Sequence, residues 1–155
     1  MSEKFTVAVG SGTNTLAYTY DGINWTGAGS LIFSEGRGVA WNGSLWVAVG
    51  SLLGGSSTDA IATSPDGINW TGRTGTSIFD NTGYGISWNG SLWVAVGAGS
   101  TNNMATSVDG INWTGLGKPV FSSLGYGIAW NGSLWVAVGS GSTNNMATSV
   151  DGINW

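Results

Sequence analysis

Near-identical internal repeats are the feature that most constrains what this chain can fold into. The segment WNGSLWVAVG occurs at 41–50, 88–97 and 130–139, with spacings of 47 and 42 residues. The pentapeptide DGINW occurs four times, at spacings of 45, 43 and 42 residues. A period of roughly 20–50 residues indicates a stack of similar units, none of which buries its apolar face alone. Because residues 99–113 are identical to 141–155, the duplication is either recent or designed.

The first half of a repeat predicts two strands joined by a tight turn. In GYGIAW, at 125–130, alternation puts Tyr126, Ile128 and Trp130 on one face. The Asn-Gly pair that follows favours a two-residue type I′ hairpin. The next strand, SLWVAVG at 133–139, is apolar on both faces. We therefore expect this second strand to be buried on both sides.

The second half of a repeat predicts two further strands. MATSV at 146–150 reads as the third strand and Asp-Gly as a turn. INW at 153–155, continued by Thr-Gly in the inner repeats, reads as a half-exposed fourth strand. Stacking such four-stranded meanders face to face satisfies both faces of the second strand. The sequence therefore predicts an all-β fold, a β-propeller of four-stranded antiparallel blades of about 42 residues each. A β-solenoid is the alternative, although its repeats are usually shorter.

The repeats predict one domain, 1–155, that holds four blades' worth of chain. FTVAVG at 5–10 matches the second half of the longer motif, so we expect the first blade to lack its inner strand and the chain to hold fifteen strands. The chain would then be a piece of a longer propeller, an imperfectly closed four-bladed ring, or half of an eight-bladed ring of two chains. The expected repeats are 1–34, 35–79, 80–121 and 122–155.

The composition excludes several classes of partner. Charged residues make up 8% of the chain, against roughly 25% in ordinary soluble domains. Its four basic residues are scattered and its net charge is −4, so we expect no nucleic-acid partner. The apolar runs are too short to predict a membrane span, and MSEKFTV does not resemble a signal peptide, which leaves the localisation open. Ten tryptophans argue against a disordered chain.

The chain contains no cysteine and no histidine. Disulfides, thiolate metal sites and most nucleophile–base pairs are therefore excluded. We expect no metal, no cofactor and no enzymatic activity.

Four heptapeptides carry a family resemblance. SPDGINW at 64–70, SVDGINW at 107–113 and 149–155, and TYDGINW at 19–25 resemble the Asp-box of sialidase-type and related β-propellers. The resemblance implies a turn between the third and fourth strands of a blade, with the Asp accepting backbone N–H groups and the Trp packing into the blade. Here Gly directly follows Asp, so the box is one residue shorter than the usual S-x-D-x-G-x-T-W. The resemblance is therefore to the broad class and not to a catalytic subfamily.

The repeated aspartates are interpreted as structural turn residues. Their symmetric positions would hold them far apart, whereas glycoside hydrolysis needs two carboxyls about 5–9 Å apart. A sialidase-like mechanism would need three arginines, and this chain has only Arg37 and Arg73. A sialidase-like glycoside hydrolase is therefore the remote alternative. The four turn aspartates are Asp21, Asp66, Asp109 and Asp151.

Variable segments point to one face as the binding face. In a meander blade the 1–2 and 3–4 turns lie on one face, and the 2–3 loops and 4–1 connectors on the other. The turns here are constant and the loops vary, as binding loops on a rigid scaffold do. Each connector carries an aliphatic–Phe pair that we expect to pack between blades: Ile32-Phe33, Ile78-Phe79 and Val120-Phe121. The candidate ligand-binding residues on this face are Glu35, Arg37, Arg73, Asp80, Asn102, Asn103, Asn144 and Asn145.

The sequence thus favours a non-enzymatic scaffold that binds carbohydrate or a protein surface. Each full repeat carries three tryptophans, for example Trp88, Trp93 and Trp113, which we interpret as core packing and alternatively as sugar-stacking surfaces. The competing class is a purely structural protein, a designed or fragment propeller with no ligand. A homodimer that closes an eight-bladed ring is a further candidate partner arrangement.

Overall fold

The structure, a computed structural model, describes residues 5–29, 32–53, 60–73 and 78–155. These residues form β-strands, turns and loops without a helix, which confirms the all-β class; no helix long and apolar enough to cross a membrane occurs among them. The strands are β1 (Thr6–Val9), β2 (Leu16–Thr19), β3 (Thr26–Gly29), β4 (Phe33–Trp41), β5 (Trp46–Leu52), β6 (Ile61–Ser64), β7 (Thr71–Gly72), β8 (Thr82–Trp88), β9 (Trp93–Ala98), β10 (Met104–Ser107), β11 (Thr114–Gly115), β12 (Leu124–Trp130), β13 (Trp135–Ser140) and β14 (Met146–Ser149).

Neighbouring strands pair antiparallel in chain order and form four meanders, which we number as units. Unit 1 is β1–β3, unit 2 is β4–β7, unit 3 is β8–β11 and unit 4 is β12–β14. A bridge between Ser51 and Thr82 links units 2 and 3 into one sheet. The strand order within each unit is the one that the repeat predicts. Because β4 begins at Phe33, it crosses the expected repeat boundary between 34 and 35.

The second strand of unit 2 is buried on both faces, as the sequence predicts. Val47, Ala48 and Val49 are fully buried. We call the face that carries Val47 and Val49, together with Ile61 of the third strand, the forward face. It packs against unit 3, whereas Ala48 and Ala62 lie on the rear face and pack against unit 1. The expectation is wrong for the second strand of unit 4, β13, where Val138 is exposed because no described unit packs against the face that carries it.

The connector phenylalanines fill the space between units. Phe33 is buried with Leu16 of unit 1 and Ala48 of unit 2. Phe121 is buried with Met104 of unit 3 and Ala137 of unit 4. Each phenylalanine thus packs with residues of two successive units, as the sequence predicts.

The Asn-Gly turn is wider than the sequence predicts. The first strand of unit 2 ends at Trp41 and the second begins at Trp46, and these two residues are paired, so the loop has four residues instead of two. The Asn42 Oδ1 accepts the N–H groups of Ser44 and Leu45 at 2.9 and 2.7 Å. The N–H groups of Ser44 and Leu45 therefore bond the Asn42 side chain instead of pairing across a two-residue hairpin.

The fourth strand is shorter than predicted, because the INW segment is not a strand and only the Thr-Gly that continues it in the inner repeats is. The Asp66 Oδ1 accepts the N–H groups of Ile68 and Asn69, which wraps the backbone around the carboxylate. The fourth strand of unit 2, β7, begins only after Trp70. In unit 4 the segment 151–155 is likewise turn and coil, so fourteen strands are found in the described residues and not fifteen.

A β-bulge in the first strand corrects the predicted alternation. The pairing shifts between Gly125 and Gly127, so Tyr126 has no partner on β13 and its side chain is exposed. Ile128, beyond the bulge, is paired with Ala137. A residue inserted into one strand of a pair reverses the side-chain pattern beyond it.

Glycines after these bulges allow the first strands of successive units to approach closely. A Cβ added at Gly85 of unit 3 would lie 3.3 Å from the Cα of Gly127 in unit 4. A Cβ at Gly38 of unit 2 would lie 3.4 Å from the carbonyl oxygen of Tyr84 in unit 3. The first strands of units 2, 3 and 4 therefore lie next to one another.

Candidate ligand-binding face

The connector before unit 3 and the 2–3 loop of unit 3 meet, and a carboxylate joins them. The Asp80 Oδ1, in the connector before unit 3, accepts the Ser100 N–H of the 2–3 loop at 2.8 Å, and its Oδ2 accepts the Ser100 hydroxyl. These bonds hold the pKa of Asp80 below its usual range, with a smaller contribution from the positive charge of Lys118. Asp80 is thus ionised and fixed in orientation at neutral pH.

A polar cavity of about 310 Å³, which we call the Lys118 cavity, lies beside this carboxylate. One wall is Asp80 and the loop at Ser100, and the other is the connector that carries Lys118 and Ser122. Asp80 was predicted from sequence, whereas Lys118, Ser100 and Ser122 were missed. The sequence feature that could have identified Lys118 as a site residue is its position as a lone cation in a variable connector. The complete lining is Asp80, Asn81, Ala98, Gly99, Ser100, Lys118, Ser122, Ser123 and Leu124.

Two further predicted residues lie in a separate cavity of about 220 Å³. Glu35 and Arg37 form an ion pair on β4 and line this cavity together with Gly10 and Ser11 of unit 1. The Arg37 guanidinium also lies 5.6 Å from the ring centroid of Tyr84. Glu35 and Arg37 therefore lie in a different cavity from Asp80.

The bulge residues form a row of side chains, of which sequence reasoning assigned only Arg37 to the site. Arg37, Tyr84 and Tyr126 occupy equivalent bulge positions in units 2, 3 and 4. The ring centroids of Tyr84 and Tyr126 are 5.6 Å apart, in an edge-to-face arrangement. The sequence signal for this row was the repeated G-x-G spacing, because glycines flank each bulge residue.

The predicted asparagines of unit 3 have structural roles. The Asn102 Oδ1 accepts the N–H of Gly117 at 2.9 Å, as Asn14 does for Gly29 in unit 1. Asn103 is fully buried, and its amide group donates to the carbonyl oxygen of Phe121. The side chains of these two residues hold the 2–3 loop of unit 3 to the connector that follows it, which is a structural role.

The equivalent asparagines of unit 4 are exposed at the last 2–3 loop. The Asn145 Oδ1 accepts the N–H of Gly141 at 3.3 Å. Neither Asn144 nor Asn145 lines the Lys118 cavity.

Arg73 lies apart from both cavities, after β7. Its guanidinium donates to the Thr63 hydroxyl on β6, and its backbone N–H donates to the carbonyl oxygen of Ile61 at 2.9 Å. Arg73 thus packs along the outer strands of unit 2.

The repeated aspartates each close a local turn. In unit 2, the Ser64 hydroxyl donates to Asp66 at 2.9 Å and accepts the N–H of Gly67 at 2.8 Å. The Asn69 side chain donates to the other carboxylate oxygen at 2.8 Å. The Trp70 indole N–H donates to the Gly67 carbonyl at 3.0 Å. Asp21, Asp109 and Asp151 accept the equivalent bonds in their own turns.

These bonds decide what the carboxylates can do chemically. The pKa of Asp66 lies far below its usual range because the Asn69 backbone N–H, the Asn69 side chain and the Ile68 N–H all bond the charged form. The pKa values of Asp21, Asp109 and Asp151 are lowered in the same way. Such carboxylates are weak bases at neutral pH and hold no proton to donate. Within the described residues, no three acidic side chains are grouped so as to hold a metal ion.

The chain was compared with protein-family models and with curated proteins. No family model matches the chain. None of the curated proteins matches it significantly either.

Proposed function

We propose that the chain is a non-enzymatic β-propeller scaffold that binds carbohydrate in the Lys118 cavity. The observation that carries the proposal is the grouping of a carboxylate, an ammonium group and serine hydroxyls in one cavity on the variable face. Sugars present hydroxyl groups that both donate and accept hydrogen bonds, and these groups complement them. The cavity is at the small end of the range of about 300–1,000 Å³ for ligand sites, which suits one or two sugar rings.

The propeller part of the proposal rests on the stacking of units. Meanders of about 42 residues pack forward face to rear face, and their first strands lie next to one another. This packing supports an arrangement of blades around an axis. The box-like turns support the resemblance to Asp-box propellers, because each aspartate accepts the local backbone N–H groups that the resemblance implies.

The non-enzymatic part of the proposal rests on the carboxylates. The four box aspartates are each committed to their own turn, and Asp80 is committed to Ser100. No histidine or cysteine is present in the chain to act as base or nucleophile. A site of this kind binds and orients a ligand without an acid–base pair to transform it.

Glycan-array screening of the purified chain, followed by calorimetric titration of the strongest hit, tests the proposal. We expect Lys118→Ala to weaken binding by about tenfold or more, since a hydrogen bond from a charged donor contributes about 1.5–3 kcal/mol. Arg73→Gln is the matched control, because it removes the same charge outside the cavity and should leave the affinity unchanged.

Three outcomes would count against the proposal. A folded chain that binds no glycan would favour the purely structural alternative. Equal losses in the Lys118 and Arg73 variants would remove the cavity from the proposal. Turnover of a sialoside would overturn the non-enzymatic assignment.

A further inference from the structure

The forward face of unit 4 is an apolar surface that no other described unit covers, unlike the forward faces of units 1, 2 and 3. Met146 is 71% exposed, whereas Met104, in an identical sequence segment of unit 3, is 0% exposed. Val138 of unit 4 is also exposed, whereas its equivalent Val96 is buried. In units 1, 2 and 3 the rear face of the following unit covers the forward face.

The rear face of unit 1 is the complementary surface, and it is also open. The box glycine of each following unit lies close to the forward face of the unit before it. A Cβ added at Gly110 of unit 3 would lie 3.0 Å from Leu45 and 3.1 Å from Val47 of unit 2. Gly152 is placed in the same way against Leu92 and Val94.

Unit 1 has the same box, but no other described unit packs against that box. Among the described residues, no atom lies within 4 Å of a Cβ added at its box glycine, Gly22. The box tryptophan Trp25 is 47% exposed, whereas its equivalents Trp70 and Trp113 pack into the clusters between units.

We infer that the forward face of unit 4 binds the rear face of unit 1 in a second copy of this chain. The DGINW box at 21–25 of one copy then covers Leu134, Val136 and Met146 of the other, as the boxes of units 2, 3 and 4 cover the units before them. The contact is heterologous, since two different surfaces meet. Two chains that use both contacts close into a ring of eight units, within the range of four to about eight blades that propellers adopt.

Light scattering coupled to size-exclusion chromatography tests the inference. We expect a species of twice the chain mass of 15.8 kDa. Met146→Glu places a charge in the apolar contact and should give the single-chain mass. Thr148→Glu, on the same exposed face, is a second variant in case the first fails to fold. Far-UV circular dichroism checks that each variant keeps the fold.

Val150→Glu is the matched control, because it makes the same kind of change four residues further along. Val150 is 75% exposed, and its equivalent Val108 stays 74% exposed although unit 4 covers the forward face of unit 3. Val150 should therefore remain outside the contact, and its variant should keep the doubled mass.

A mixing experiment distinguishes this contact from a symmetric one. Met146→Glu leaves the rear face of unit 1 intact, and Trp25→Glu leaves the forward face of unit 4 intact. Each variant alone should be a single chain, and the two together should form a 1:1 complex through one contact. A wild-type chain that stays at 15.8 kDa up to 100 μM or so overturns the inference. A Trp25 variant that still pairs with itself also overturns it.

Discussion

At the residue scale, one hydroxyl organises each box turn. The Ser107 Oγ accepts the N–H of Gly110 at 2.8 Å and donates to Asp109 at 3.0 Å, and Ser107 itself is buried. Gly110 has a φ of 75°, which favours glycine at this position. The turn therefore depends on three kinds of residue: one with a hydroxyl group, one with a carboxylate, and a glycine.

We expect Ser107→Ala to lower the free energy of unfolding by about 1–3 kcal/mol, because it leaves the buried Gly110 N–H without its acceptor. Urea unfolding followed by tryptophan fluorescence measures this change. Ser133→Ala is the control: its hydroxyl is exposed at the Asn131 loop, and its loss should cost no more than about 0.5 kcal/mol. Equal effects of the two substitutions would contradict this account of the turn.

The box aspartates accept hydrogen bonds within their turns. Asn102 and Asn103, predicted from sequence to bind a ligand, instead bond the backbone of the same chain. The box is a local motif, so its hydrogen bonds run between residues two or three apart and can be inferred from spacing. Asn102 bonds Gly117, fifteen residues away, across a strand pair. A partner at that distance is fixed by the register of the strands, and the register cannot be inferred from the sequences of the 4–1 connector and the 2–3 loop.

At the element scale, the first strands are built for close approach. Gly85 and Gly127 follow the bulge in equivalent positions, but their surroundings differ. A Cβ at Gly85 would meet the backbone of unit 4, at 3.3 Å from the Gly127 Cα and 3.4 Å from the Ile128 nitrogen. Of the atoms in the described residues, a Cβ at Gly127 would meet only the Cγ2 of Val138 within 4 Å, at 3.2 Å.

We therefore expect Gly85→Ala to destabilise the chain by about 1–3 kcal/mol through overpacking against a neighbouring strand. Gly127→Ala should cost less, because no described backbone atom lies within 4 Å of the added Cβ and the one contact is with a side chain. The comparison uses thermal unfolding of both variants beside the wild type. If Gly127→Ala is the more damaging substitution, the two first strands do not pack as described.

The strands themselves were predictable in order but less so in extent. Period-two alternation located the first, second and third strands. The Asn42 side chain then lengthened the first turn, and Asp66 displaced the fourth strand to begin after Trp70. In both cases a side chain captured backbone donors that propensity assigns to a strand, a competition that is expected of Asn and Asp.

At the scale of the whole molecule, the carboxylates determine how stability depends on pH. The pKa values of Asp21, Asp66, Asp109 and Asp151 are all lowered in the folded chain, so folding is favoured above the unfolded-state pKa of about 3.9. As the pH falls toward the folded-state pKa, the unfolded chain binds protons first and stability is lost. No histidine or cysteine titrates nearer to neutrality.

We expect the free energy of unfolding to be nearly constant between about pH 5.5 and 7 and to fall progressively below about pH 4. Urea titrations at a series of pH values measure this dependence. A double variant with Asp66→Asn and Asp109→Asn should be less stable at pH 7 and should show a shallower loss in acid. Equal stability of the wild type at pH 2.5 and pH 7 would be inconsistent with the turn geometry.

Sequence by itself determined the repeat, the all-β class, the order of antiparallel strands and the chemistry of the box turn, because each of these depends on contacts within one unit. The structure decided burial, as the identical segments 99–113 and 141–155 demonstrate. Met104 and Asn103 are fully buried in the first segment, whereas Met146 and Asn145 are exposed in the second. The physical reason is that burial depends on the neighbour that packs against a face: unit 4 covers the forward face of unit 3, whereas no unit among the described residues of the same chain covers that of unit 4.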